Sequence, residues 1–397
     1  MGQKLVMKEI IGNIGSANDF RITQGCLHIF QLFDVGEEID LRRAAGLLHS
    51  DVHRPQLGLP RKQPEFFGYD PPPVRFSRTI TPVKLGNYES EASAEITLWD
   101  FGGISVCYRT PLLPDSNLSA LVSLSCIFAG EHAFEECARG LVEQLVTELG
   151  AAITKPAVAT SCEDYIVFVI EKGSLPLDGE AFKEQCAPTI AQILTAEEIE
   201  LSRESVWEAL RHSSSYSRND LVVANWRGAL IYGWDDPDTR AVLEFAAMQY
   251  LQTQLIDEHL DRYFEEAYRI FNRRFSFFKG VGFHTDIRLI GRLHVEAAKL
   301  FEAVNNALKL VGEQYLTHLY NLASARFELP TLHATVRDKL ETLDDLYEKV
   351  RDRRREFREH WMEMTVIILI ALEFEQIRAV FGNIGSGIKE LIMKFIG

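Results

Sequence analysis

The sequence lacks the paired cysteines that mark zinc ribbons and thioredoxin-like redox sites. None of its six cysteines belongs to a Cys-x-x-Cys motif. Most of them stand among apolar residues, which favours buried free thiols in a reducing compartment. The six are Cys26, Cys107, Cys126, Cys137, Cys162 and Cys186.

An excess of positive charge is also missing. The net charge is −15 and the isoelectric point is about 5.3. Because a nucleic-acid-binding face must neutralise phosphates, this balance argues against nucleic acid as a partner. Apolar residues make up 46% of the 397 residues, enough for sizeable cores in two or three domains.

The motifs of common enzyme classes are absent as well. There is no phosphate-binding Gly-x-x-x-x-Gly-Lys loop and no Gly-x-Ser-x-Gly elbow. The triplet His49, Asp51 and His53 lies beside a proline-rich stretch and fits surface polar residues better than a metal site. We therefore expect no catalytic residue, no cofactor and no metal ligand. The alternative is an enzyme with an unrecognised pocket in the N-terminal region, seated where strands end at Asp100 or Asp164.

The sequence has no long apolar run. The first residues show no continuous apolar stretch typical of a secretory signal, which predicts a cytoplasmic, bacterial-type protein. The most apolar segment, Met364–Leu372, is followed at once by Glu373 and Glu375. It is shorter than the roughly 20 residues needed to cross a bilayer.

The pattern of the remaining chain predicts an α+β fold, with a mixed N-terminal region followed by a C-terminal long-helix, coiled-coil-like bundle. Four segments are expected: a strand and helix at 1–50, a proline-rich linker or loop at 51–83, an α+β domain at 84–234 and a helical domain at 235–397.

Strands are predicted from apolar and aromatic runs, and the paired glycines Gly102 and Gly103 favour a tight hairpin turn. The predicted strands are Cys26–Phe33, Ala94–Trp99, Ile104–Thr110, Tyr165–Ile170, Leu221–Ala224 and Ala229–Tyr232.

Helices are predicted from apolar residues at helical spacing, with Asp236 as an N-cap and Pro237 in the first turn of the longest. Their ranges are Ile39–Leu48, Glu131–Leu149, Asp178–Leu194, Ala196–Ala209, Pro237–Phe275, Thr285–Leu310 and Glu313–Ala325, with a further long helix after Pro330 and a short amphipathic tail helix at Ile388–Ile396.

The long C-terminal helix carries a heptad seam, in which apolar residues recur at alternating intervals of three and four. Arg354 is its one charged interruption. The residues expected to pack against another helix are Leu332, Val336, Leu340, Leu343, Tyr347, Val350, Phe357 and Trp361.

Basic residues precede the apolar run, as they do on the cytoplasmic flank of a membrane segment. The apolar run has two interpretations. It contacts protein, either in the core or between copies of the chain, or it contacts a membrane surface. The residues that would touch the membrane are Arg353, Arg354, Arg355, Val366, Ile367, Ile368, Leu369 and Ile370.

The C-terminal region resembles the Required for Meiotic Nuclear Division family, a family built on a domain of unknown function. The resemblance rests on Gly291–His294, Arg337–Val350, the arginines that follow, Val366–Ile370 between Glu363 and Glu373, and Asp100–Val106. It implies a membrane-linked, non-catalytic organising or tethering protein.

Together these features predict a non-enzymatic scaffold or tethering protein. Its expected partner is another protein or a second copy, bound through the C-terminal helices, with a membrane surface as a further partner. No nucleic acid is expected, and no small-molecule substrate is identified. A soluble oligomeric interaction module is the remaining hypothesis.

Overall fold

The computed structural model describes residues 20–48, 73–272 and 314–396. The predicted helix Thr285–Leu310 lies outside the described residues, as does the triplet at His49, Asp51 and His53 and most of the proline-rich segment. Within the described ranges the protein has an α+β fold, as the sequence predicts.

The strands fall at the following bounds: β1 Arg21–Asp34, β2 Glu38–Ile39, β3 Val74–Thr79, β4 Lys84–Leu85, β5 Tyr88–Glu89, β6 Ser93–Leu98, β7 Gly103–Pro111, β8 Ser116–Asn117, β9 Ile153–Thr154, β10 Cys162–Gly173, β11 Ser213–Ser214, β12 Leu221–Ala224 and β13 Gly228–Tyr232.

The helices are α1 Leu41–Leu47, α2 Leu118–Ala129, α3 Ala133–Leu149, α4 Gly179–Thr195, α5 Arg203–Leu210, α6 Pro237–Asn272, α7 Gln314–Arg326 and α8 Leu329–Ile396.

One large mixed sheet organises these elements. Its strands run in the order β11-β12-β13-β10-β1-β7-β6-β3, and β8 pairs with the start of β1. β10 and β13 are parallel, whereas β1 is antiparallel to both of its long neighbours, β7 and β10. The longest strand therefore lies inside the sheet, hydrogen-bonded along both edges.

From Cys26 to Phe33, β1 is buried on both faces, and this places it between two cores. Since side chains alternate along a strand, Leu27, Ile29 and Phe33 enter one core while Phe30 and Leu32 enter the other. Helices α2, α3 and α4 cover the first face, with Phe134 and Phe182 fully buried among the residues there. The second face is covered by α6 and α7.

Both predicted hairpins are present. β6 pairs with β7 from Ala94↔Tyr108 to Leu98↔Ile104, and β12 pairs with β13 from Leu221↔Tyr232 to Ala224↔Ala229. The first hairpin turns at Gly102, whose φ of 87° is a left-handed conformation that favours glycine.

Two local predictions were wrong. Residues 74–79 were placed in a loop but form β3, an edge strand on β6 that contains no proline. The helix predicted at Ala196–Ala209 begins only at Arg203, because Ala196 adopts a left-handed conformation that ends α4 and Ser202 caps α5.

The helical prediction for the C-terminal region is confirmed within the described residues. Asp236 caps α6, since its Oδ2 accepts a hydrogen bond from the backbone N–H of Thr239 at 3.0 Å. α8 extends to Ile396, so the tail predicted as a separate helix belongs to it. None of the helices in the described ranges is both long enough and apolar enough to cross a bilayer.

The chain divides into two compact units, which comprise residues 1–259 with 297–337 and residues 260–296 with 338–397. The first contains the whole sheet. In the second, Leu260 and Leu343 are fully buried, and Lys339 forms an ion pair with Asp261 at 2.5 Å.

Gly102→Ala is expected to lower the free energy of unfolding by at least about 2 kcal/mol, because the left-handed backbone disfavours alanine. A Cβ at this position would also lie 1.8 Å from the carbonyl oxygen of Gly36. Urea denaturation followed by circular dichroism measures the loss.

Gly140→Ala is the matched control, since a Cβ there meets no atom within 4 Å. It lies inside α3, where alanine is favoured over glycine by about 0.5–1 kcal/mol. Equal stability of the two variants would contradict the role assigned to Gly102.

Candidate functional site

Four polar residues meet in the second core, between β1 and the start of α6. We call Cys26, His28, Asp235 and Arg240 the His28 cluster. Cys26 and His28 lie two residues apart on β1 and therefore share a face of the sheet. Asp235 follows β13, and Arg240 stands in the first turns of α6. The sheet and the helix thus bring together residues more than 200 positions apart in sequence.

The cluster is closely packed and buried. His28 Nε2 lies 3.3 Å from Cys26 Sγ and 3.6 Å from Asp235 Oδ2. His28 Nδ1 lies 3.2 Å from a guanidinium nitrogen of Arg240. Arg240 Nε in turn lies 2.6 Å from Asp235 Oδ1, as an ion pair without the alignment of a hydrogen bond. His28 is 1% exposed and Cys26 is fully buried.

These distances fix the protonation of the imidazole. Arginine can only donate hydrogen bonds, so Nδ1 of His28 must accept and the proton must reside on Nε2. Nε2–H then points towards Cys26 Sγ and Asp235 Oδ2. Burial lowers the pKa of His28, although its hydrogen bond with Asp235 opposes the shift. His28 is therefore neutral near pH 7.

Charge in the cluster is balanced by Asp235 and Arg240. The pKa of Asp235 is lowered to about 2: burial raises it, but the hydrogen bond to His28 and the charge of Arg240 outweigh burial. Burial raises the pKa of the Cys26 thiol to about 12, with Asp235 adding to the effect. Cys26 is consequently protonated at neutral pH and is a poor nucleophile.

The cluster has metal-ligand atom types, since the ligating atoms of Cys26, His28 and Asp235 all lie within 4.8 Å of one another. However, Arg240 already supplies the cation that Asp235 needs, and it occupies Nδ1 of His28. A zinc ion on Nε2 would require the proton to move to Nδ1, where Arg240 cannot accept it. The contacts fit a structural ion pair better than a metal centre.

This cluster was not predicted from the sequence. Its only local signal is Cys-x-His within a strand, and His28 alone more often marks a satisfied core residue than a site. Asp235 and Arg240 become meaningful only when α6 is known to pack on β1.

Of the two positions considered for an enzyme pocket, Asp164 lines a cavity that offers little room. The cavity beside Asp164 has a volume of ≈ 10 Å³, about one water-sized probe. Burial raises the pKa of Asp164 and raises that of its neighbour Glu163 to about 7. Asp100 is a turn residue whose carbonyl accepts a hydrogen bond from the backbone N–H of Ile39 at 2.7 Å.

The predicted packing seam divides into buried and exposed parts. Leu343 and Val336 are fully buried, and Leu332 and Leu340 are half-buried. Trp361, by contrast, is 48% exposed. The side chains of Tyr347, Val350 and Phe357 lie outside the described residues, as do those of Arg353, Arg354 and Arg355.

Around Trp361 the helix presents a continuous apolar surface, which we call the apolar segment and define as residues 361–372 of α8. The five residues proposed from sequence to touch a membrane are all here, and each is at least half exposed: Val366, Ile367, Ile368, Leu369 and Ile370. Because successive residues in a helix are rotated by about 100°, five consecutive residues point in all directions. Residues 366–370 are therefore apolar on every side of the helix.

A protein-family model described as "Uncharacterized protein MJ0711, N-terminal domain" matches residues 24–239. This range is more than half of the 397-residue chain and runs from β1 to the N-terminus of α6. The chain belongs to the MJ0711 N-terminal domain family.

A curated relative supports this assignment. The chain is 24% identical over 238 residues to the uncharacterized protein MJ0711 of Methanocaldococcus jannaschii, covering 59% of this chain and 71% of that protein. No solved structure matches the chain.

The resemblance to the Required for Meiotic Nuclear Division family is wrong, because the matching family is the MJ0711 N-terminal domain. Most of the residues behind that resemblance lie in the C-terminal helices. Heptads, arginine-rich helix faces and apolar runs recur wherever helices pack together, so these features did not identify a family.

In this MJ0711-family protein, Arg240→Met is expected to reduce the free energy of unfolding by about 3–5 kcal/mol, since it leaves the partly buried Asp235 carboxylate without its cation. Urea denaturation at pH 7 measures this.

Arg262→Met, at an exposed position of the same helix, serves as the control and should change stability by under about 0.5 kcal/mol. If both variants lose the same stability, the His28 cluster does not hold α6 on the sheet.

Glu163→Gln is expected to stabilise the protein at pH 8 and to have little effect at pH 4. The pKa of Glu163 is raised from 4.5 to about 7, chiefly by burial and then by the charge of Asp164. The folded protein therefore holds this proton more tightly than the unfolded chain. Ionisation of Glu163 therefore lowers the free energy of unfolding as the pH rises above 4.5, and the loss is largest above pH 7.

The gain at pH 8 should be about 1–3 kcal/mol, because Glu163 is only partly shielded from solvent. Thermal denaturation across this pH range provides the measurement. Glu143→Gln, exposed on α3, should show no such difference between the two pH values. A pH-independent effect of Glu163→Gln would rule out this explanation.

Proposed function

We propose that the protein is a non-enzymatic scaffold that self-associates through the apolar segment of α8. The observation behind this proposal is the all-round exposure of residues 361–372. Val366, Ile367 and Leu369 are 52%, 60% and 58% exposed. Soluble proteins rarely expose contiguous apolar surface on this scale unless another surface covers it.

Other copies of this chain are better suited than lipid to cover the apolar segment. Twelve helical residues extend about 18 Å, whereas the hydrocarbon core of a bilayer is about 30 Å thick. Glu363 lies within the segment and Glu373 directly follows it, and both are exposed. A helix lying in a membrane surface needs one apolar and one charged face, but residues 366–370 are apolar on every side of the helix.

The all-round exposure also favours more than two helices. In a two-stranded coiled coil, one partner covers only the narrow seam of a and d positions. Ile367 and Ile370 lie off the seam that passes through Trp361 and Met364, yet they are just as exposed. A bundle of several copies would bury these residues together with the seam.

The non-enzymatic part of the proposal is supported by the His28 cluster. Two cysteines contact His28: Cys26 Sγ lies 3.3 Å from Nε2 and Cys107 Sγ lies 3.8 Å from Nδ1. Both cysteines are buried, and burial raises the pKa of each thiol, so these thiols and the imidazole are not presented to a substrate. All six cysteines are unpaired, which supports the proposed cytoplasmic location.

The double variant Ile368→Gln/Leu369→Gln is expected to dissociate the assembly. Each substitution removes about 1.5–3 kcal/mol of apolar burial per copy from the proposed bundle. Light scattering coupled to size-exclusion chromatography, without detergent, should give the wild-type chain a mass several times 45.1 kDa and the variant a much smaller mass.

Glu341→Gln/Asp345→Asn is the matched control, because it changes two exposed residues of the same helix and should leave the mass unchanged. A monomeric wild-type chain at tens of micromolar would contradict self-association. Cosedimentation with phospholipid vesicles, lost in the glutamine variant, would assign the segment to a membrane surface instead.

A further inference from the structure

A cavity of ≈ 210 Å³ lies in the sheet-containing unit, beside the start of α6. We call it the Trp234 pocket. Its walls include the aromatic rings of Tyr216, Trp234 and Tyr315 and the carboxyl groups of Asp220 and Asp236, and Tyr232 and Asp238 also line it. Two of the rings project into solvent, as Tyr216 is 63% and Trp234 49% exposed. The pocket is therefore open to a ligand from outside.

Local backbone structure assembles the pocket. Gly233 has a φ of 111°, a conformation that favours glycine, and this turns the chain out of β13 just before Trp234. Tyr315 stands in the first turn of α7 and meets Tyr216 edge-to-face, with ring centroids 5.1 Å apart. A strand end, a loop and two helix ends thus place aromatic side chains around one cavity.

Asp220 and Asp236 each accept hydrogen bonds from uncharged donors. Asp220 accepts hydrogen bonds from the backbone N–H groups of Tyr216 at 2.8 Å and Ser217 at 2.5 Å. Asp236 accepts from the N–H and hydroxyl of Thr239 at 3.0 and 2.7 Å.

Neither carboxylate forms an ion pair with a lysine, arginine or histidine in the part of the chain that the structure describes. The nearby Arg218 pairs with Asp178 at 3.0 Å instead. Among the described residues, the negative charges of Asp220 and Asp236 are therefore not balanced by an ion pair.

The negative charges of Asp220 and Asp236 disfavour an anionic ligand. The N-terminus of α6 points here, but Asp236 already accepts from the backbone N–H of Thr239 and so caps that end. Burial, followed by the charges of Asp220 and Asp236, raises the pKa of Tyr315. This direction is consistent with a negative potential at the pocket wall.

We propose that the Trp234 pocket binds a small organic cation with an alkylated ammonium head. Such a head needs no hydrogen-bond acceptor, and Asp220 and Asp236 already accept hydrogen bonds from neighbouring backbone and hydroxyl groups. It is attracted instead by the faces of aromatic rings and by nearby negative charge. The aromatic side chains and the carboxylates of Asp220 and Asp236 supply both.

Isothermal titration calorimetry of the full chain with choline chloride tests this proposal. Saturable binding with a Kd of about 1 mM or tighter is expected, a modest affinity for so few ligand atoms. The neutral isostere 3,3-dimethyl-1-butanol has the same shape without the charge and should bind at least about 10-fold more weakly.

Trp234→Ala should weaken choline binding by about 5-fold or more. Trp226→Ala removes an equally exposed tryptophan that does not line the pocket and should leave the Kd unchanged. Asp220→Asn keeps a side-chain oxygen while removing its charge, and it should also weaken binding.

Equal binding of choline and its neutral isostere would overturn the proposal, as would an unchanged Kd in Trp234→Ala. Absence of saturable binding up to about 20 mM choline in the folded wild-type chain would overturn it as well. The mass of each variant is measured in the same samples. A loss of choline binding can therefore be distinguished from a loss of self-association through α8.

Discussion

The burial of β1 on both faces is the constraint on which the rest of the structure depends. The strand is hydrogen-bonded along both edges, to β7 and β10, and its side chains divide between two cores. Neither core can form without it. Helices must cover both faces of the sheet, so α6 and α7 are required for the fold even though the family match ends at residue 239.

The same constraint explains the contacts of the His28 cluster. A histidine on a strand buried on both faces cannot reach water, and it must find its partners within the core. Arg240 and Asp235 provide them. Asp235 lies just before α6 and Arg240 lies in its first turns, so the cluster determines where this helix begins. That position in turn places Asp236 and Trp234 at the wall of the pocket.

Much of the fold could be predicted from sequence, because its signals are local. The apolar run of β1, the glycine turn at Gly102 and the capping pair Asp236 and Pro237 each act within a few residues. Prediction missed α2, where apolar residues occur nearly without periodicity. It also missed β3, because prolines around it outweighed a short strand pattern.

The sites were harder to predict, for a physical reason. The His28 cluster joins residues more than 200 positions apart, and the Trp234 pocket joins a loop, a strand end and the first turn of α7. No spacing rule connects such residues. The apolar segment of α8 was visible in the sequence because it is continuous. Its exposure on all sides became evident only in the structure.

Hydrogen–deuterium exchange measured by mass spectrometry at two protein concentrations tests the central claim most directly. Peptides covering residues 26–33 should exchange slowest, because β1 opens only when both cores unfold, and their rates should not depend on concentration. Peptides covering residues 361–372 should exchange faster in dilute protein and become protected as concentration rises. Rapid exchange of residues 26–33 under native conditions would contradict the central role of β1.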